Sequence, residues 1–295
     1  MGKLKPYQRT VKALDQAKNY LELSGQRVFS ATAIAQMLEE NRNTWGFAAT
    51  TTIAKLVERL VSNEIIKPIE IRFPDNKVVT RYTYHIPTIY EMAVSLHARS
   101  YISHYPAMHL LGLTTQVPKT IYVTNELSKK TTSESILTQK GIDRAFTLPQ
   151  RRNENSGIYE DYQIVVLNGK YSGRAGVVTL LKEYGGYSYT GLERTLIDIT
   201  VRPNYSGGAF MVLEAYKNAL IQDISVNKLN AMLKNLSFIY PYQQAIGFYL
   251  EKAGYTGKQL DVLRSKISQF DFYLDYQMSN PSYSKEWKLY YPKEM

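Results

Sequence analysis

Residues 29–62 read FSATAIAQMLEENRNTWGFAATTTIAKLVERLVS, and this stretch decides how the amino-terminal part of the chain folds. Ser30 is a favoured N-cap residue, and the apolar residues after it recur at helical spacing, which predicts a helix over ATAIAQMLEE. The polar segment NRNTWG, residues 41–46, is typical of a turn. A third helix is expected at about 47–62, where apolar residues again return every three or four positions: Ala49, Ile53, Leu56, Val57 and Leu60.

The segments on either side complete the pattern. Residues 7–24 predict a first helix with an apolar stripe made by Val11, Leu14, Ala17, Tyr20 and Leu21. Residues 65–87, IIKPIEIRFPDNKVVTRYTYHIP, predict two short strands around the turn at 74–76. A helix, a helix–turn–helix and a basic hairpin, in this order, indicate a winged helix–turn–helix DNA-binding domain over residues 1–87.

From residue 88 the pattern becomes that of a larger mixed α/β domain, expected to span 88–295. Residues 88–98 predict a linking helix, and the segments at 142–148 (IDRAFTL) and 162–170 (YQIVVLNGK) predict strands, with Asn168-Gly169 as a hairpin turn. Four further helices are expected at about 208–221, 225–236, 240–253 and 257–267. The predicted fold class is therefore mixed α/β (α+β), with an amino-terminal winged helix–turn–helix and a larger carboxy-terminal domain.

Charge and composition narrow the class of protein. The chain holds 36 Lys and Arg against 26 Asp and Glu, a formal net charge of +10, and residues 1–85 hold 13 basic against 8 acidic residues. Such a balance favours a nucleic-acid partner. The absence of cysteine excludes disulfides and thiolate chemistry. No apolar stretch is long enough to cross a membrane, and the basic amino terminus leads into no apolar core, so we expect a cytoplasmic protein without a signal peptide.

Candidate DNA contacts follow from the predicted domain. Short hydroxyl and basic side chains at the start of a recognition helix reach phosphates and base edges in a major groove, and basic residues on a wing reach neighbouring phosphates. The helix candidates are Thr44, Thr50, Thr51, Ala54, Lys55 and Arg59, and the wing candidates are Arg72, Lys77 and Arg81. Winged helices also bind proteins, so a protein-interaction module that never contacts DNA is the alternative.

Catalytic chemistry has little support in the sequence. His104 and His109 are five residues apart and do not share a helix face as a zinc-binding pair does, so no metal or cofactor is expected. Asp275, Glu286 and Lys288 resemble the Asp…Glu-x-Lys spacing of some magnesium nucleases, which leaves a metal-dependent nuclease as a weaker alternative.

The segment GLERTLID, residues 191–198, has a structural interpretation. Thr190 and Glu193 stand at the spacing of a capping box, and Arg194 and Asp198 at that of an i, i+4 ion pair. No phosphate-binding loop or nucleophile elbow occurs. We therefore expect that the protein is not an enzyme.

Two long segments carry a resemblance to a known family. SHYPAMHLLGLTTQVPKTIYVTNE at 103–126 and YTGLERTLIDITVRPNYSGG at 189–208 resemble the signature of the AbiEi antitoxin family. The resemblance implies an antitoxin that represses its own operon by binding promoter repeats through an amino-terminal winged domain. It also implies that the carboxy-terminal domain antagonises a nucleotidyltransferase toxin, in some members without a lasting complex.

Overall fold

The computed structural model describes residues 6–129, 136–151, 153–181, 185–222 and 224–295. Its helices are α1 Pro6–Ser24, α2 Ala31–Trp45, α3 Ile53–Ser62, α4 Ile89–Val94, α5 His104–Leu110, α6 Gln139–Thr147, α7 Leu192–Val201, α8 Ala209–Leu220, α9 Val226–Leu236, α10 Tyr242–Ala253 and α11 Lys258–Arg264. Its strands are β1 Val28–Phe29, β2 Lys67–Arg72, β3 Val78–Thr83, β4 Tyr101–Ile102, β5 Thr120–Glu126, β6 Ser156–Tyr159, β7 Tyr162–Gly169, β8 Val177–Thr179, β9 Ser188–Thr190, β10 Phe272–Tyr273, β11 Ser282–Ser284 and β12 Leu289–Tyr291.

The predicted mixed α+β class is confirmed, because helices and strands occur in both compact units of the chain. The first unit takes in the described residues up to Ser100 together with 155–164 and 179–188. The second unit comprises 101–154, 165–178 and 189–295, as far as these are described. No helix within the described residues is both long and apolar enough to cross a membrane.

The core of the first unit is a cluster of apolar side chains from α1, α2 and α3. Leu14, Ala17 and Leu21 of α1 are buried as predicted, whereas Val11 and Tyr20 are exposed. On α2 and α3 the buried residues are Ile34, Met37, Leu38, Leu56 and Leu60. The helical periodicity therefore identified most of the inward-facing residues, because burial of these stripes is what stabilises short amphipathic helices.

The connection between α2 and α3 differs from the prediction. Residues 41–45 do not form a turn but continue α2, since Trp45 is buried against the rings of Tyr20 and Phe47. Gly46 ends the helix in the left-handed conformation, with φ of 79°. A residue with a side chain pays a steric penalty there, so the glycine sets the turn.

The third helix also begins later than predicted. It starts at Ile53, because Thr52 caps it by accepting a hydrogen bond from the backbone N–H of Lys55. Ala49 and Ile53, which were expected on the buried face, are exposed. Residues 46–52 form the connection in place of the predicted turn at 41–46.

The predicted hairpin is present, but it is part of a larger sheet. Strands β2 and β3 are antiparallel around residues 74–76, and β1 lies on the other side of β3. Strand β6 pairs with the free edge of β2, with Arg72 opposite Ile158. Gly157 makes this approach possible, because a Cβ there would lie 2.7 Å from Cγ2 of Ile71.

The first unit therefore extends past the predicted boundary at residue 87. Besides β6, it contains α4, which begins with a capping box between Thr88 and Glu91. Arg27 lies 3.6 Å from the buried carboxylate of Glu91 and ties α4 to the segment before β1. These contacts link sequence that the hydrophobic pattern had assigned to different domains.

The second unit combines a sheet with a helical core. The end of β7 is followed in the sheet by β5, β4, β9 and β8, and a smaller sheet has the order β10, β12, β11. The four predicted helices after residue 205 are confirmed as α8 to α11. Their aromatic side chains build the core, in which Tyr216 and Tyr249 stack with ring centroids 5.1 Å apart.

Two predictions in the second unit are wrong. Residues 142–148 were expected to form a strand but lie mostly in α6, because Thr138 caps the helix and Ile142 and Phe146 share its buried face. Asn168-Gly169 is not a turn but the end of β7. A Cβ on Gly169 would lie 2.5 Å from Cγ2 of Thr124, so this glycine marks close packing between strands.

Candidate nucleic-acid interface

A basic groove in the first unit gathers most of the predicted helix contacts. Its volume is about 280 Å³, and it lies beside the amino-terminal end of α3. The residues that line it come from α1, from the connection between α2 and α3, and from α3: Arg9, Thr10, Gly46, Phe47, Ala48, Thr50, Thr51, Lys55 and Arg59. Three are cations and, among the described residues, none is a carboxylate.

One arginine holds the connection in shape. Nη1 of Arg42 donates hydrogen bonds to the carbonyl oxygens of Ala48, Ala49 and Thr51, at 3.1, 3.3 and 2.7 Å. An exposed connection would otherwise leave these carbonyls to water and remain mobile. Arg42 therefore fixes the backbone that carries Thr50 and Thr51 into the groove.

The predicted helix contacts divide into three groups. Thr50 and Lys55 are exposed and Arg59 is half-buried, and all three line the groove. Thr51 also lines it but is only 6% exposed, so little of its side chain is open to a ligand. Thr44 is exposed on the last turn of α2, because that helix is longer than predicted. Ala54 is exposed on α3.

The predicted wing contacts also differ from one another. Arg72 is 77% exposed and pairs with Glu70 at 3.7 Å, while Lys77 is exposed and lies 5.6 Å from the centroid of the Phe73 ring. Arg81 points elsewhere, since its Nε and Nη2 donate to the carbonyl oxygen of Ser95 at 3.0 and 2.9 Å. Its prediction as a phosphate contact conflicts with this engagement.

His97 lies within electrostatic range of Lys77 and Arg81. The pKa of His97 is lowered, first by burial and then by the charges of Lys77 and Arg81. Burial alone lowers the pKa of a histidine, and a cationic neighbour lowers it further because it disfavours a second positive charge. Each of these causes favours the neutral form of His97.

Sequence reasoning missed Arg9, Thr10 and Arg42. Arg9 and Thr10 reach the groove because α1 packs on α2, a tertiary contact that no local spacing encodes. Arg42 lies in the segment 41–46, which the sequence predicted to be a turn. In the structure it belongs to the last helical turn of α2. A prediction that extended α2 to Trp45 would have placed the Arg42 side chain beside the connection between α2 and α3.

The second unit contains a buried ion pair. Arg194 and Asp198 form the predicted i, i+4 ion pair at 2.9 Å, and both side chains are at most 10% exposed. Arg194 also donates to Oγ of Ser172, the carbonyl of Ala175 and the hydroxyl of Tyr101. The predicted capping box is wrong, because Gly191 is the N-cap residue.

The side chains of that predicted box have other partners. Thr190 exchanges a hydrogen bond with Thr195, and Glu193 pairs with Lys228 at 2.9 Å. Glu126 is embedded beside Arg194, where it accepts hydrogen bonds from Ser172, Tyr101 and the backbone of Arg174. Burial raises its pKa, but these hydrogen bonds outweigh burial and lower the pKa overall. These polar side chains are satisfied within the fold, and Ser172 and Arg194 also line a cavity of about 90 Å³.

The residues of the nuclease alternative have separate structural partners. Glu286 pairs with Arg264, and Nζ of Lys288 donates to the carbonyl oxygen of Gln269 at 3.3 Å. Asp275 accepts backbone hydrogen bonds from Tyr276 and Ala209, while burial raises its pKa. The described part of the chain contains no group of three or more His, Asp or Glu residues able to hold a metal ion.

His104 is likewise engaged inside the second unit. Its Nδ1 lies 2.9 Å from Oγ of Ser103, and the ring packs edge-on against Tyr205. Burial lowers its pKa well below the usual value, with a further contribution from the charges of Arg202 and Arg194. His104 is therefore a neutral core residue.

Comparison with known proteins supports the overall fold but no more specific assignment of family or function. No protein-family model matches the chain, and no curated protein matches it. The chain resembles the crystal structure of the Rv2827c protein from Mycobacterium tuberculosis, with a TM-score of 0.55 and 14% sequence identity. The likeness covers 94% of this chain and 90% of that one, so it extends over both compact units.

Proposed function

We propose that this protein is a DNA-binding regulator whose first unit is a winged helix–turn–helix domain. Helix α3 is the recognition helix and the β2–β3 hairpin is the wing. The observation that carries the proposal is the groove of about 280 Å³ beside the start of α3, lined by Arg9, Lys55 and Arg59 without a carboxylate among the described residues. DNA phosphates are bound by such cations together with short hydroxyl side chains and helix amino termini.

The charge distribution supports the same function. Residues 1–85 carry 13 basic and 8 acidic residues, and Arg72 and Lys77 are exposed on the hairpin. In a winged domain the wing lies along the groove next to the one that the recognition helix enters, where it contacts phosphates. Residues on α3 would then read bases and those on the hairpin would position the protein.

The antitoxin role remains a prediction from the resemblance of residues 103–126 and 189–208. It adds that the bound duplex is the promoter of the protein's own operon. It also adds a nucleotidyltransferase toxin as the partner that the carboxy-terminal part antagonises. Co-expression with the product of a neighbouring nucleotidyltransferase gene tests it, and rescue of growth is the expected result.

The DNA-binding proposal is tested by titrating the full chain against the duplex upstream of its gene and against a scrambled duplex of equal length. Binding should favour the upstream duplex and weaken steeply with salt, because cations that neutralise phosphates release counterions. Binding to neither duplex at low salt would contradict the proposal and favour the protein-interaction module. Equal binding to both at physiological salt would remove the regulatory role.

A further inference from the structure

A second, larger groove lies within the second unit. Its volume is about 1180 Å³, and it is bordered by α6, by residues 148–151, 153 and 154, and by the end of α7. Pockets that enclose one small molecule are typically about 300–1000 Å³, so this groove is larger than that range. Nothing in the regulatory proposal above uses it.

Four of the described residues that line this groove are cations: Arg144, Arg151, Lys170 and Arg202. Arg144, Arg151 and Lys170 are exposed, and in the described part of the chain none of the four makes an ion pair with a carboxylate. Glu154 is the acidic member of the described lining residues. The groove therefore has a positive balance that a bound anion would neutralise.

Lys170 and Arg202 are held in place by uncharged partners. Nζ of Lys170 donates to the carbonyl oxygens of Leu236 and Ser237, at 3.1 and 2.6 Å. The guanidinium of Arg202 lies 5.8 Å from the centroid of the Tyr205 ring. Carbonyl and ring contacts orient these cations without neutralising them, so their charge remains available. Both residues also line a smaller cavity of about 90 Å³ that adjoins the groove.

Aromatic rings line the same groove as the cations. Phe238, Tyr240 and Tyr276 are half-buried lining residues. Tyr276 stacks on Phe146 with ring centroids 4.4 Å apart, and Tyr240 packs edge-on against Phe146 at 5.7 Å. Rings supported in this way are rigid, which lowers the entropic cost of stacking a ligand on them.

The segment that carries Arg151 is anchored to the rest of the unit. The backbone N–H of Asn153 donates to the Tyr205 hydroxyl at 3.0 Å, and its side chain donates to the carbonyl of Val166 at 2.7 Å. The rim of the groove is thus built into the fold rather than left as a free loop.

From these contacts we infer that the second unit binds single-stranded nucleic acid in this groove. Unpaired strands present phosphates to cations and flat bases to aromatic rings, and proteins that bind them combine the same two features. A duplex hides its bases in the stack and cannot use the rings. The groove therefore favours a different ligand, an unpaired strand, from the duplex proposed to bind the first unit.

The test measures fluorescence anisotropy of a labelled single-stranded oligouridylate of about eight nucleotides, a length within known site sizes, titrated with the full chain. An excess of unlabelled duplex DNA occupies the first unit throughout. Binding should persist under these conditions and weaken with added salt. An abasic backbone of the same length carries the phosphates without the bases, and it should bind about tenfold more weakly.

A charge-matched pair of variants locates the site. Arg144→Glu with Arg151→Glu should weaken oligouridylate binding by about tenfold or more, because two phosphate contacts become repulsive. Lys258→Glu with Lys293→Glu makes the same charge change at exposed positions outside the groove and should shift affinity by about threefold or less. Duplex binding by both variants should match that of the wild type.

Several outcomes would overturn the inference. Equal weakening by the two double variants would mean that overall charge, not the groove, attracts the strand. Full displacement by duplex would place the strand on the first unit, and equal affinity for the abasic backbone would remove the role of the rings. Loss of duplex binding with retained oligouridylate binding would contradict only the proposed regulatory function.

Discussion

Arginines and lysines occupy opposite environments in the first-unit groove and in the buried network around Arg194 of the second unit. In the first unit, Lys55 is exposed and Arg59 half-buried on an open groove, where no carboxylate among the described residues neutralises them. In the second unit, the Arg194 side chain is 7% exposed and satisfied by Asp198, Ser172 and Tyr101. A cation on the surface loses little hydration and can bind a ligand. A buried cation loses its hydration, so it needs hydrogen-bonding and charged partners to compensate. Substitution of the groove cations should therefore weaken ligand binding, whereas substitution of Arg194 or its partners should lower the free energy of unfolding.

The largest effect is expected from Arg194→Met, which keeps the apolar stem and removes the charge. Asp198 would then be buried without its partner, so we expect the free energy of unfolding to fall by about 3–5 kcal/mol. Denaturant unfolding measures it. Lys217→Ala, which breaks the exposed pair with Glu214 at 2.8 Å, is the control and should cost about 0.5 kcal/mol or less. Similar losses in both variants would contradict the contrast between buried and surface charge.

A second loss of stability is expected from Gly247→Ala in the core of the second unit. A Cβ on this residue of α10 would lie 2.0 Å from Cζ3 of Trp287, which is fully buried. Overpacking of this kind costs about 3 kcal/mol. Trp287→Leu makes room for the methyl group, so the double variant should be more stable than the sum of the two single losses predicts. Strict additivity in thermal unfolding would show that the two residues do not touch.

A smaller loss of stability is expected from one of two hairpin arginines in the first unit, and a loss of duplex binding from the other. Arg81→Ala removes hydrogen bonds to the carbonyls of Ser95 and Leu96, and it should cost about 1.5 kcal/mol of stability with little change in duplex affinity. Arg72→Ala, at a side chain that is 77% exposed, should leave stability within about 0.5 kcal/mol and weaken duplex binding. Unchanged duplex affinity in both variants would contradict phosphate contacts by these two arginines of the hairpin.

Much of the helical architecture follows from local patterns. The stripes of α1 to α3 and the four helices after residue 205 were predictable, since burial of one face at helical spacing decides both formation and orientation. The errors have a common cause. Residues 41–45 are polar in sequence but end in Trp45, whose burial extends α2, and α6 was mistaken for a strand because its stripe is only Ile142 and Phe146.

The candidate site was predictable only in part. Thr50, Lys55 and Arg59 follow from the position of the third helix, and they do line one groove. Arg9 and Arg42 depend on how helices pack and where α2 ends, and Arg81 depends on the placement of Ser95. The pairing of β6 with β2 joins residues more than eighty positions apart along the chain, and no spacing rule reaches that far.

The most direct test of the account is the salt dependence of duplex binding by Lys55→Ala with Arg59→Ala. Lys12→Ala, at an exposed position on α1 that does not line the groove, is the control. Each lost phosphate contact should lower the slope of log affinity against log salt by about one, so the double variant should lose about two units and the control none. Unchanged slope and affinity in the double variant, with the fold intact by circular dichroism, would contradict DNA binding through this groove.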